Sequence, residues 1–505
     1  MPRELILAID QGTTNTKALL VDRDGQPVFR ASVPVDLLQP RPGFVEQDPI
    51  ALWLSVRAVI GDCVVHTREL GAKIEGIAIS NQRETALAWR PAAPGASGPV
   101  SGDPIGNAIS WQCRRSAASC DRLGAHAETI LEKSGLPLDP LLSAGKWAWL
   151  IETSPELAKS ASAGEILFGN VDSWIIYNLT GGVVHATDHS NASRTALLNL
   201  GTLGWDADML GLFGIPRAAM PEILRSSGHF GVCTAVSELA GVPIVSAIGD
   251  SHAALVGHGR YVPGAVKATY GTGSSLMALT AGLPPDTANL ARTIAWSTSG
   301  GARFALEGNI SMAGSAVQWV GEFLGLPHPA KDAVALAATV PDAGGVVFVP
   351  AMVGLGAPHW DRAARGTIAN LERFHTAAHL ARAAIDAIAY QVADVFFAME
   401  AAESIELQAL SADGGATRND GLMQLQADLL SRPVHRSANE ELSAIGAAML
   451  GGLTLGWWTS FDDLAALPRA TQTFEPRLAP KARDLLYESW QHAVRRARLV
   501  ETNAL

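Results

Sequence analysis

Two short glycine-threonine loops lie about half a chain apart, Asp10-Gln11-Gly12-Thr13-Thr14 and Tyr270-Gly271-Thr272-Gly273-Ser274, and strand-like runs flank both of them. Leu5 to Ile9 enters the first loop and Lys17 to Val21 leaves it. Asp22-Arg23-Asp24-Gly25 then turns the chain into a third β-rich run, Pro27 to Val35. Glycine lets backbone N–H groups approach an anion closely, and threonine hydroxyls add donors without adding charge. The two loops therefore read as halves of one nucleotide-phosphate clamp. Asp10, a carboxylate at the end of a strand, is placed to hold the metal that accompanies the phosphates. A third element, Ala412-Asp413-Gly414-Gly415-Ala416, ends a strand and leads through Asn419 into the helical pattern Leu422, Met423, Leu425, Leu429. Its glycine pair suits a flat ring lying against the backbone.

Strand-like runs at Ile74–Ser80, Ile244–Ile248, Val266–Tyr270 and Gly345–Ala351 alternate with longer helical patterns, which predicts an α/β architecture. One helix is expected to start at Asp48-Pro49, capped by the aspartate, with Ile50, Trp53, Leu54, Val56 and Val59 on its apolar side. Others are expected over Ala377–Glu403 and Lys481–Val500, and a surface loop over Pro91–Gly106. The strand-loop-strand pattern recurs after residue 260, so two similarly folded halves are expected, 1–255 and 256–505, with a substrate cleft between them.

The 505 residues carry a net charge of −11 and are 48% hydrophobic. That balance argues against a nucleic-acid or anionic-membrane partner, which would need a basic patch. Cys63, Cys113, Cys120 and Cys233 show no paired spacing and are expected as reduced thiols of a cytoplasmic protein, Cys113 and Cys120 packing on a helix. No targeting segment or membrane span is expected, since Met1-Pro2-Arg3-Glu4 runs straight into the first strand. His185 and His189 have the spacing of a helical metal pair but read as framework. Arg114-Arg115 is open between a structural pair and an active-site role.

Taken together, AIDQGTT from Ala8, GFVEQDP from Gly43, SNQRET from Ser80, SWQCRR from Ser110 and VDSWIIYNLTGG from Val171 resemble the FGGY carbohydrate kinases. So do TDHSNASRT from Thr187, IGDSHAAL from Ile248, TYGTGS from Thr269, GLGAPHWD from Gly354, AIAYQ from Ala387, DGGA from Asp413 and LSAIGAA from Leu442. Asn81-Gln82-Arg83-Glu84-Thr85 is similar to the version found in the glycerol-type branch. The resemblance covers almost the whole chain. It implies the two-domain actin/hexokinase-like (ribonuclease H-like) ATPase fold with a central cleft, and transfer of the γ-phosphoryl of ATP, with Mg²⁺, to a primary hydroxyl of a small polyol. Glycerol is the first candidate. Homo-oligomers are common in such a family.

By the same resemblance Asp250 is the catalytic base, Arg83 and Glu84 grip acceptor hydroxyls, and Trp111 walls the carbon chain. Thr13, Thr14, Asn15 and Lys17 belong to the first phosphate loop, and Thr272 and Gly273 to the second. Gly314 and Gln318 face the nucleotide, Gly415 and Asn419 hold the adenosine end, and Mg²⁺ lies between Asp10 and Asp250. Phosphoryl transfer needs mostly alignment, charge neutralisation and a carboxylate for the hydroxyl proton, and these residue types supply all three.

Three acceptor-side positions depart from the glycerol-type pattern: Leu141 replaces a tyrosine, Ser251 a glutamine, and Ser275 a phenylalanine. A tetritol, pentitol or pentulose is therefore kept as an alternative acceptor, with extra hydroxyls reaching Ser251 and Ser275. An ATP-driven binding protein like actin or the heat-shock chaperones is the alternative from another class, against which Arg83, Glu84 and Asp250 argue together. The family's basic effector loop is replaced by Val232-Cys233-Thr234-Ala235-Val236-Ser237-Glu238-Leu239, which argues against fructose-bisphosphate control.

Overall fold

The computed structural model describes residues 2–92, 100–285, 289–403 and 406–499. Glu4–Gln11 (β1) and Asn15–Val21 (β2) form the first hairpin, with Asp10 opposite Lys17 across the ladder. Leu5 through Ile9 are all fully buried, because both faces of this strand are covered. Leu5, Leu7 and Ile9 pack on one face, while Ile6 and Ala8 pack on the other against the helix Leu442–Leu455. Pro27–Pro34 (β3) pairs antiparallel with β2.

Pro49–Glu69 (α1) starts as expected: the Asp48 side chain accepts from the Ile50 N–H at 2.8 Å, and Pro49 opens the first turn. Among the described residues α1 is the one helix long and apolar enough to cross a membrane. Here Leu52, Trp53, Val56, Val59, Ile60 and Cys63 are buried against the first sheet. Lys73–Asn81 (β4) and Ile244–Gly249 (β5) complete that sheet in the order β5-β4-β1-β2-β3, with β1, β4 and β5 parallel. Asp250–Gly257 (α2) follows β5 without a break.

The second half repeats the plan. Val266–Tyr270 (β6) and Ser274–Leu279 (β7) form an antiparallel hairpin, followed by Ala291–Thr298 (β8) and Gly301–Ile310 (β9). Gly314–Phe323 (α3) and Ala377–Glu403 (α4) precede Leu410–Asp413 (β10), which runs parallel to β6 as β4 does to β1. Asp420–Leu430 (α5), Val434–Ser437 (β11), Leu442–Leu455 (α6), Thr471–Phe474 (β12) and Pro480–Arg498 (α7) follow. The seven strands are ordered β8-β9-β7-β6-β10-β11-β12. One core spans both halves: Ile248 and Ala253 share it with Met277, Trp296 and the α6 residues Ala444, Ala447 and Leu450.

Four expectations need correction or trimming. Gly102–Pro104, inside the expected surface loop, is a strand paired with Leu87–Pro91. Its glycine is required by close approach, since a Cβ at Gly102 would lie 2.5 Å from the Trp89 ring. Residues 93–99 of that loop and residue 500 of the last expected helix lie outside the described residues. Cys113 sits in a turn ahead of the helix Ala117–Arg122, whereas Cys120 is on it; both are buried and free. The expected strand Gly345–Ala351 shortens to Val347–Val349, paired with Thr367–Ala369.

Candidate active site

The segment leaving β4 builds one wall. The Gln82 side chain donates to Gln11 Oε1 at 3.0 Å and to Gln47 Oε1 at 2.9 Å, tying this segment to the first loop and to the start of α1. Glu84 holds a positive φ of 59°, a strained backbone for a side chain of its size. Lys146 and Ser143 over-determine it: Lys146 Nζ donates to the Glu84 carbonyl at 3.1 Å and Ser143 Oγ donates to the same carbonyl at 3.3 Å. Lys146 is fully buried and its ammonium is pushed down to about 8 by that burial. It also donates to the Leu141 carbonyl, so the backbone of Leu141 anchors this wall while its side chain is half-buried.

Asp250 is the first residue of α2, at the end of β5 and beside β4. Arg83 Nε lies 3.2 Å from Asp250 Oδ1, which also accepts from the Ser251 N–H at 2.6 Å. Arg83 reaches on to Glu307 of β9, 2.8 Å away, so this guanidinium spans the two halves of the chain. Arg194 Nε donates to Glu84 Oε1 at 2.6 Å, and its other end lies 2.8 Å from Glu307 Oε2. Burial opposes ionisation of Glu307, but Arg194 and Arg83 outweigh it and hold the carboxyl far below its ordinary range. Burial raises the Asp250 carboxyl despite Arg83. So dense a charge cluster is costly to desolvate and marks a candidate functional site.

Ser251 and Ser275 meet in the same place, Oγ to Oγ at 2.9 Å. The buried Lys267 ammonium donates to Ser251 Oγ and, at 3.0 Å, to Thr269 Oγ1, while Ser275 donates to Glu307 Oε1 at 3.1 Å.

At the first glycine-threonine loop, Trp111 Nε1 donates to Thr13 Oγ1 at 2.9 Å, and Gln47 donates to the Thr13 carbonyl at 2.8 Å. The indole N–H is thus used on the loop, and Trp111 is half-buried beside it. Asn15 donates to Thr14 Oγ1 at 3.1 Å. Lys17 is held by Glu441 at 2.7 Å, a carboxylate shared with Arg30 at 2.8 Å. Burial and the Asp250 charge raise the Asp10 carboxyl to about 6, against Lys17 and the hydrogen bond from Ser80 at 3.0 Å. Two carboxylates that disfavour each other's charge suit a divalent cation.

The second loop is fastened to the start of α3: the Ala313 and Ser315 N–H groups donate to the Thr272 carbonyl and that of Gly314 to the Gly271 carbonyl, all at 3.0 Å. A Cβ at Gly273 would lie 2.5 Å from the Ile310 carbonyl oxygen, and one at Gly314 2.7 Å from that of Gly271. Gln318 is exposed on α3 and donates to Glu322 at 2.6 Å. At the proposed adenosine end, a Cβ at Gly415 meets nothing within 4 Å, and Asn419 spends its side-chain oxygen capping α5. Beside them lies a hollow of about 240 Å³ lined by Gly414, Thr417, Arg418, Arg436 and Asn439.

Arg83, Glu84, Asp250, Ser251 and Ser275 therefore converge, while Gly415 and Asn419 form a separate group. Sequence reasoning missed Glu307, Lys267 and Arg194 as members of the site. Lys267 did leave a signal, a lone charge inside a short strand-like run, and Glu307 a weaker one, a charge after the apolar Phe304-Ala305-Leu306. The histidines are framework: His185 Nε2 bonds the Phe168 carbonyl at 2.8 Å and His189 Nδ1 bonds Ser297 Oγ at 3.0 Å. Arg115 is paired with Glu46 at 2.5 Å and stacked on Phe44, which is a structural arrangement.

The family model for the N-terminal domain of the FGGY family of carbohydrate kinases matches residues 5–257, and the C-terminal model matches 266–455. The chain is 43% identical over 503 residues to a glycerol kinase of Carboxydothermus hydrogenoformans, covering 99% of each. It is 46% identical over 501 residues to an apulose kinase of Pectobacterium atrosepticum, covering 98% of each. The Plasmodium falciparum glycerol kinase, solved with ADP, superposes with a TM-score of 0.90 at 31% identity, covering 99% of both chains. The chain belongs to the FGGY family of carbohydrate kinases and has its two-domain fold, which makes it an ATP-dependent phosphotransferase acting on an alcohol group.

Proposed function

We propose that the protein phosphorylates a primary hydroxyl of a small polyol, glycerol being the first candidate and glycerol 3-phosphate the product. The observation that carries this reading is the meeting of Arg83, Glu84 and Asp250 at one point, with Arg83 Nε 3.2 Å from the Asp250 carboxylate. A diol accepts from a guanidinium and donates to a carboxylate, so Arg83 and Glu84 orient the acceptor by two of its hydroxyls. Asp250 then accepts the proton of the third as the oxygen attacks, because a carboxylate is too weak a base to ionise an alcohol beforehand. The raised Asp250 carboxyl brings its basicity closer to that task.

Thr13, Thr14, Asn15, Lys17, Thr272, Gly273, Gly314 and Gln318 serve the phosphates and nucleotide, and Gly415 and Asn419 the adenosine. Asp10 and Asp250 would hold a Mg²⁺, which would supply neutralisation of phosphate charge. Residues 1–255 and 256–505 act as the two halves that close on the substrates and exclude water. We place the protein in the cytoplasm, where ATP and free thiols are maintained.

A second reading, a longer polyol or a ketose, is favoured by the serine pair at Ser251 and Ser275 and by the similarity to a relative named for apulose. The deciding experiment is coupled ADP release with Mg-ATP against glycerol, erythritol, the pentitols, xylulose, ribulose, apulose and gluconate. Acceptor-dependent turnover supports the phosphotransferase reading and its ranking names the acceptor. Turnover that ignores every acceptor would return the protein to the ATP-driven binding class.

A further inference from the structure

We propose that Ser251 and Ser275 form a specificity element that accepts a hydrogen bond from an additional acceptor hydroxyl, so that the preferred substrate carries at least one hydroxyl more than glycerol. This rests on the phosphotransferase reading and, within it, ranks the longer polyol of the second reading above glycerol. Lys267, Ser251, Ser275 and Glu307 form a continuous chain of hydrogen bonds: ammonium to Ser251 Oγ, Ser251 to Ser275 at 2.9 Å, Ser275 to Glu307 Oε1 at 3.1 Å. The two ends differ in kind. An ammonium only donates and an ionised carboxylate only accepts. Glu307 is kept ionised by Arg83 and Arg194, and Lys267, although burial lowers it to about 8, remains mainly protonated near pH 7.

Those ends fix the direction of every bond between them. Ser251 accepts from Lys267 and gives its proton to Ser275, which gives its own to Glu307. Each serine oxygen has then used its proton and one lone pair, and each retains one lone pair. The pair therefore offers acceptors and no free donor, which selects a hydroxyl on the substrate over a carbonyl. Its position matches this use. Ser251 follows Asp250 directly and donates its N–H to the Asp250 carboxylate at 2.6 Å, and Ser275 is only half-buried. An acceptor with its reacting hydroxyl at Asp250 and two others at Arg83 and Glu84 has satisfied all three hydroxyls of glycerol. The serine lone pairs are left for a fourth.

The test is steady-state kinetics of the full-length protein with glycerol, with the four- and five-carbon polyols, and with deoxy and keto analogues of whichever is best, repeated for Ser251→Ala and Ser275→Ala. Wild type is expected to favour a longer acceptor over glycerol by about tenfold or more in kcat/KM, and to lose about tenfold when one of its hydroxyls is removed or oxidised to a carbonyl. Each serine variant is expected to reduce that longer-over-glycerol ratio about tenfold. Wild-type preference for glycerol, or a deoxy and keto series that changes nothing, overturns the proposal independently of how the variants fold. A serine effect equal for all acceptors overturns it too. Absence of turnover with every acceptor is a different failure, that of the phosphotransferase reading.

Discussion

The hairpins β1–β2 and β6–β7 share one design: antiparallel strands, a glycine-threonine loop, and a first strand running parallel to a later one, β4 or β10. They differ at the next-to-last residue of the first strand. In the first hairpin it is Asp10, a carboxylate raised to about 6 and paired across the ladder with Lys17. In the second it is Thr269, uncharged, paired with Ser275 and accepting from the Lys267 ammonium at 3.0 Å. The first loop thus brings charge to the site and the second brings backbone, its carbonyls tied to α3. Duplicated backbone geometry is thus differentiated through side chains: the first half supplies the Asp10 and Asp250 carboxylates, and the second supplies Glu307 as a buttress behind Arg83.

The sharpest break in this division is Asp250→Asn. Transfer should fall by about 10³-fold while ADP binding, measured by calorimetry, changes little, because base catalysis is lost and both loops remain. Turnover near the wild-type rate would remove Asp250 from the base role and leave the first half without its distinguishing chemistry.

Glu307 tests whether the halves depend on each other. Glu307→Ala leaves Arg83 and Arg194 buried against carboxylates on one side only, so a loss of about 3–5 kcal/mol is expected, read as a clear fall in Tm. An unchanged melt would mean that the ion pairs at 2.8 Å contribute no net stability.

The loops themselves can be compared directly. Gly273→Ala drives a Cβ against the Ile310 carbonyl, backbone that cannot step aside, so the second loop must shift. The KM for Mg-ATP should rise about tenfold, with a smaller change for the acceptor. Thr13→Ala removes one hydroxyl and leaves the Trp111 N–H without its partner, so a rise of about threefold to tenfold in both KM values is expected. If Gly273→Ala instead disturbed the acceptor more than ATP, the assignment of the second loop to phosphate would be wrong.

Much of this was readable before the structure, for physical reasons. Continuous apolar strands, glycine loops and the Asp48-Pro49 helix start are local signals, and α4 begins and ends where its pattern does. The catalytic-side residues Arg83, Glu84 and Asp250 were legible through motifs that sit at strand ends. What was not legible depends on distant contact. Gly102–Pro104 becomes a strand by pairing with Leu87–Pro91, and Glu307 joins the site only when β9 is brought against Arg83 and Arg194. The direction of the serine chain likewise needs Lys267 and Glu307 at its two ends, more than thirty positions apart in the sequence.

The smallest effect is the most specific to the first hairpin. Asp10 has a folded-state carboxyl raised from 3.8 to about 6, so the folded protein holds this proton more tightly than the unfolded chain does. The sign follows: ionised Asp10 destabilises the fold above pH 6, and the penalty fades as pH falls through 6 and is gone only below 3.8, where the group is protonated in both states. Asp10→Asn keeps an acceptor for Ser80 and removes the charge that Asp250 opposes. It should therefore raise the stability of the metal-free protein by about 1–2 kcal/mol at pH 8 and by progressively less toward pH 5. The same variant should need far more Mg²⁺ for turnover, since one of two carboxylates is gone. A variant that is no more stable at pH 8, with an unchanged Mg²⁺ requirement, would mean that the strand-end carboxylate is not what separates the two hairpins.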